Sequence, residues 1–294
     1  MSPNPPVYPD EPKIPVLPNM LTAGNLLCGF FSILTICKGM RFPDGTEEAF
    51  MYYQQATYFI FAACIFDLLD GRVARMCKVD GPFGREFDSI ADVVSFGIAP
   101  AMLLARAVLF NIPVPHLGDA IAVLYLLCAA LRLARFNCMA AAPKKPNQSM
   151  DFVGLPVPMA AGAVVSTMYL VIDITTNRNL EIHLGWQITM AVIMTVVALL
   201  MMSRVIYPSF KHVNLEKKGT ITAMLLAVAA VCAFILLPWI APAIIFLCYL
   251  LYGLVVRPFL TRRMRRTIEA DDDDEDDDED DDEGEGEDTP SEQQ

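Results

Sequence analysis

The chain has 294 residues, 54% of them hydrophobic, with a mean hydropathy of +0.42. Apolar residues this abundant, gathered in long runs, exclude a soluble globular domain and indicate a polytopic membrane protein. The formal net charge of −12 hides two parts: 18 of the 34 acids lie from Glu269 onward, where there is no Lys or Arg, so residues 1–268 are mildly basic with 22 basic and 16 acidic side chains. No nucleic-acid partner is expected.

In chain order, residues 1–18 hold seven prolines and read as an extended arm without helix. No cleavable signal peptide is expected. The first span is placed at about 20–38, long enough to cross ~30 Å of hydrocarbon. It carries Gly24, Asn25 and Gly29. The small residues allow close helix packing, and Asn25 has two readings, helix packing or substrate contact. Spans two to six are placed at about 51–75, 87–110, 118–140, 155–174 and 186–205. A seventh follows at 219–237, and an eighth at about 241–256 after Pro238 and Pro242. The acidic tail cannot bury apolar surface and is expected to be disordered.

With eight spans, both termini share one side, and 18 of the 22 basic residues fall on it; Lys38, Arg41, Arg106 and Arg178 are left on the other. By the positive-inside rule that side is cytoplasmic. The eight cysteines form no CxxC pair and the three histidines no cluster. Buried small hydrophobes are the plain reading of most of the cysteines.

The chemistry is concentrated between residues 67 and 92. Asp67, Asp70, Gly71 and Ala74 are spaced i, i+3, i+4 and i+7, on one helix face. Asp88 and Asp92 share a face of the next helix. A tight connection makes the two helices antiparallel neighbours and brings four carboxylates to the cytoplasmic end. Acids near membrane depth are costly unless protonated or neutralised by a cation. Carboxylates select hard ions such as Mg²⁺, Mn²⁺ or Ca²⁺, and Mg²⁺ favours one or two carboxylates plus phosphate oxygens. Gly71 and Ala74 remove bulk from that face, and Arg75 can pair with phosphate or with an acid. Topology anchoring is the competing reading of Arg75. Arg132 and Arg135 end the fourth span, next to Asn137. They read as anion ligands for a carboxylate or phosphate, against the alternative of interfacial anchors. Ser95 and Asn25 are weaker pocket candidates.

The run Asp67-x2-Asp70-Gly71-x2-Ala74-Arg75-x8-Gly84-x3-Asp88-x3-Asp92 resembles the signature of the CDP-alcohol phosphatidyltransferases at every position. The resemblance implies a core of six membrane helices, usually a homodimer, with two divalent ions at the cytoplasmic face. Asp67, Asp70, Asp88 and Asp92 would be metal ligands and Asp92 also the general base. Gly71, Ala74, Arg75 and Gly84 would line the CDP site. Stretches 18–33, 86–101, 131–137, 152–158 and 207–211 look like the membrane-embedded phosphatidylserine synthases of bacteria and archaea.

The fold expected is therefore an all-α polytopic membrane protein: an arm (1–18), a six-helix core (19–212), two further transmembrane helices (213–268) and the acidic tail (269–294). The activity implied is transfer of phosphatidyl from CDP-diacylglycerol to L-serine, with Mg²⁺ or Mn²⁺, beside membrane lipids. Another acceptor (glycerol 3-phosphate, inositol phosphate or choline) is the alternative within the family. A cation- or proton-coupled transporter is the alternative outside it, and would spread its acids through the membrane depth.

Overall fold

The computed structural model describes residues 16–77, 81–141, 152–177, 183–203, 205–207, 236–237 and 240–253. Its helices are α1 (Val16–Gly39), α2 (Glu47–Cys77), α3 (Pro82–Asp92), α4 (Ala99–Ala107), α5 (Leu117–Ala141), α6 (Val157–Asn177), α7 (Leu184–Met202) and α8 (Ala241–Leu251). A π-helical turn, Val93–Ile98, joins α3 to α4, so Pro82–Ala107 forms one 26-residue rod. The all-helical architecture matches expectation, with one addition. Two-residue strands β1 (Phe152–Val153) and β2 (Ile206–Tyr207) pair antiparallel and clip the segment before α6 to the segment after α7.

Five helices among the described residues are long and apolar enough to cross a membrane: α1, the Pro82–Ala107 rod, α5, α6 and α7. The chain is a multi-pass membrane protein. The 31-residue α2 has the length but is not among them. Gln54, Gln55 and the acids and arginines of its last turns dilute its apolar stretch. It nevertheless packs along α1 more extensively than any other described pair of elements, with Ser32 Oγ donating to the Ala56 carbonyl at 2.9 Å. The proposed seventh span lies almost wholly outside the described residues, as do the tail and all but the last few residues of the arm. The residues described up to Leu250 form one compact unit, and Leu251 to Gly253 fall in a second.

Two expectations need correction. The first span begins at Val16, inside the supposed arm. Pro18 sits in its first turn, where a missing N–H breaks no intrahelical bond. The third span begins at Pro82 rather than 87, because Pro82 takes the N1/N2 position and starts the helix directly after Gly81.

The π turn has a local cause. Pro100 has no N–H to donate to the Phe96 carbonyl four residues earlier, and a wider turn accommodates its ring. That carbonyl accepts instead from the Tyr125 hydroxyl at 3.0 Å. Phe96 and Tyr125 are both fully buried, at the centre of a core that runs through α4, α5, α6 and α7.

Candidate active site

The last turns of α2 and the Asp88 turn of α3 bring their carboxylates together. Asp67 and Asp70 lie one helical turn apart on α2, and α3 returns Asp88 beside them. One carboxylate oxygen from each of Asp67, Asp70 and Asp88 lies within 4.8 Å of the others. Asp70 is 5% exposed and Asp92, one turn beyond Asp88, is 6% exposed. Asp92 is outside that group of three.

The first helix supports the acids from the other side. Its buried residues Pro18, Thr22, Asn25, Gly29 and Ser32 recur at helical spacing and form one stripe. Thr22 Oγ1 donates to Asp70 Oδ2 at 2.9 Å. Asn25 Nδ2 donates to Asp92 Oδ1 at 3.1 Å. Ser95 Oγ, fully buried, donates to the Asn25 backbone carbonyl at 3.0 Å. α1 approaches the π turn so closely that a Cβ on Gly29 would lie 2.7 Å from Ser95 Cα. Ser95 thus ties the π turn to α1. Thr22 escaped the sequence reading, although it sits at i−3 of Asn25 on the same face.

The donor set fits a hard divalent cation. Asp88 Oδ1 is buried and has no hydrogen-bond partner among the described residues. An orphaned carboxylate oxygen beside two more carboxylates is costly without a cation to share. Clustered carboxylates with hydroxyl and amide support behind them suit a hard divalent cation.

The α2 backbone beside the acids is open. A Cβ added to Gly71 would meet nothing within 4 Å. Gly84 faces Asn19, whose Oδ1 would be 3.4 Å from such an atom. Ala74 is half-buried on the same α2 face. Arg75 belongs to α2, but its side chain is outside the described residues.

The residues at the end of α5 divide. Arg132 is 6% exposed, and its Nε has no hydrogen-bond partner among the described residues. Arg135, half-buried, donates from Nη1 to the Met202 carbonyl at 3.3 Å. It also lies against Gly154, whose φ of +83° only glycine adopts readily and where a Cβ would come 3.1 Å from Arg135 Nη2. Asn137 gives its amide to Ser89 Oγ at 2.9 Å and to Glu86 Oε2 at 3.3 Å, tying α5 to α3.

The family model of the CDP-alcohol phosphatidyltransferases matches residues 15–197. Among curated proteins, a CDP-diacylglycerol–serine O-phosphatidyltransferase of Helicobacter pylori is 30% identical over 83% of this chain and 92% of its own length. The enzyme of that name from Mycobacterium leprae is 33% identical over 77% of the chain and 72% of its own. The one from Methanocaldococcus jannaschii is 34% identical over 67% of the chain and 81% of its own.

Proposed function

The chain belongs to the CDP-alcohol phosphatidyltransferase family, and on that premise we propose that it transfers the phosphatidyl group of CDP-diacylglycerol to the hydroxyl of L-serine, giving phosphatidylserine and CMP. Relatives from two bacteria and an archaeon carry that activity in their names. The observation that carries the chemical part is the convergence of Asp67, Asp70 and Asp88, with Asp92 one turn away on the same face as Asp88.

In this reading Asp67, Asp70 and Asp88 form the core that holds divalent metal, with Asp92 helping from one turn away, two ions by the family pattern, either Mg²⁺ or Mn²⁺. When bound, the metal neutralises the pyrophosphate and stabilises CMP as leaving group. Gly71, Ala74 and Gly84 keep the backbone surface open for the cytidine nucleotide, a site to which the family pattern also assigns Arg75. Asp92 accepts the proton of the serine hydroxyl. The serine oxygen forms a bond to the phosphorus that carries diacylglycerol, and the bond from that phosphorus to the CMP oxygen breaks. No protein nucleophile is required. Arg132, buried and with no partner for its Nε among the described residues, binds the serine carboxylate or a substrate phosphate. Arg135 and Asn137 hold the end of α5 that presents it.

The same reading places the carboxylates and both termini on the cytoplasmic side of the cell membrane, following the distribution of Lys and Arg. It takes the enzyme as a homodimer whose core is 19–212, with the helices of 213–268 appended. The experiment is CMP release from CDP-diacylglycerol by the purified protein in Mg²⁺ and in Mn²⁺, with each acceptor alcohol supplied alone. Release with serine supports the proposal. Silence with serine and release with another alcohol refutes the acceptor.

A further inference from the structure

Four acids converge, yet α1 treats two of them differently. Thr22 donates to Asp70, a member of the three-carboxylate group. Asn25, one turn on, donates to Asp92, which stands outside it. We propose that Thr22 and Asn25 are positioning residues with separate duties: Thr22 fixes the Asp70 carboxylate for metal, and Asn25 fixes Asp92 for proton transfer. The inference rests on the function proposed above.

Both contacts are directional. The Thr22 hydroxyl has one proton and two acceptors in reach, Asp70 Oδ2 at 2.9 Å and the Pro18 carbonyl at 3.2 Å. The charged acceptor is the shorter and stronger partner. A hydroxyl given to one carboxylate oxygen leaves the other free to face an ion.

The Asn25 carboxamide turns its amide nitrogen to Asp92, the orientation that suits Asp92 when it is a carboxylate, which only accepts. The side chain is fully buried, and Oδ1 has no partner among the described residues. Among the described residues the amide nitrogen, and not the oxygen, is the end of Asn25 that finds a side-chain partner. Asn25 is itself braced, because Ser95 grips its backbone carbonyl from the turn that begins directly after Asp92. Packing alone does not explain two donors aimed at two different acids. Apolar side chains would fill the same stripe.

The test uses the full-length protein in lipid nanodiscs and two readouts. Mn²⁺ binding, followed by the electron paramagnetic resonance of free Mn²⁺, does not depend on turnover. CMP release with serine gives kcat and its dependence on Mn²⁺. Thr22→Val keeps shape and removes the donor. It is expected to weaken Mn²⁺ binding about 10–100-fold, with the activity lost at low Mn²⁺ recovered as Mn²⁺ is raised. Thr22→Ser is expected to restore binding. Asn25→Leu, or the smaller Asn25→Ser if the leucine protein does not purify, is expected to lower kcat about 10–100-fold and to leave Mn²⁺ binding within about 3-fold of the parent. Parallel loss of both quantities in both variants overturns the inference, as does unaltered Mn²⁺ binding in Thr22→Val. A parent protein that binds Mn²⁺ but releases no CMP with serine contradicts the proposed function and leaves the Thr22 assignment standing.

Discussion

Asn25 and Asp92 are 67 residues apart in the chain and 3.1 Å apart in space, amide nitrogen to carboxylate oxygen, in a spot where both side chains are buried. The contact joins the first helix to the acid assigned as general base.

Asp92→Asn keeps the size of the side chain and removes its basicity. The expected result is a fall in CMP release of about 10²–10⁴-fold, the usual worth of a positioned base, with Mn²⁺ binding largely retained. A rate near that of the parent removes Asp92 from the role. Size-exclusion profiles of the two proteins in detergent establish that folding is unaffected.

Asp88 offers the orphaned oxygen of the cluster. Asp88→Asn is expected to weaken Mn²⁺ binding at least about 10-fold, because a carboxylate ligand is replaced by a neutral amide. Chelation with EDTA is expected to abolish CMP release by the parent, and Mg²⁺ or Mn²⁺ to restore it. Activity that survives chelation contradicts the metal assignment.

The two arginines of α5 are expected to fail differently. Arg132→Gln removes the buried guanidinium, whose Nε has no partner among the described residues, and is expected to raise KM for serine or for CDP-diacylglycerol about 10-fold or more, consistent with loss of a charge-assisted contact of roughly 1.5–3 kcal/mol. Arg135→Gln loses the bond to Met202 and the contact at Gly154. Its expected signature is a lower Tm with KM little altered. Substrate titrations and thermal unfolding in detergent separate the two.

Tyr125→Phe leaves the Phe96 carbonyl without its hydroxyl donor in a fully buried position. An orphaned buried carbonyl costs about 1–3 kcal/mol, so Tm is expected to fall. Unchanged Tm would mean that the π turn satisfies this carbonyl by its own backbone.

The fold and the acids were legible because each left a local mark. Apolar runs of about 20 residues marked the spans, and the i, i+3 and i, i+4 spacings put Asp67 with Asp70 and Asp88 with Asp92 on shared faces before any coordinates were known. The start of α1 was not legible. Proline density read as a stop signal, and Pro18 is tolerated only because it falls in the first turn. The π turn was likewise hidden, since it depends on Pro100 and on a hydroxyl from a helix 29 residues away. Thr22, Ser95 and Asn137 show the same limit. Each is a common polar residue whose contact exists only once α1 meets α2 (Thr22 to Asp70), the π turn meets α1 (Ser95 to Asn25) and α5 meets α3 (Asn137 to Ser89 and Glu86), so the chain's spacing does not announce the partner.

The acceptor is the centre of the account, and one measurement addresses it directly. Purified protein, CDP-diacylglycerol and Mg²⁺ or Mn²⁺ are mixed with serine, glycerol 3-phosphate, inositol phosphate or choline, one at a time, and CMP is quantified. The account predicts metal-dependent CMP release with serine, accompanied by phosphatidylserine, and none above background with the others. Release with one of the other alcohols and none with serine would contradict it.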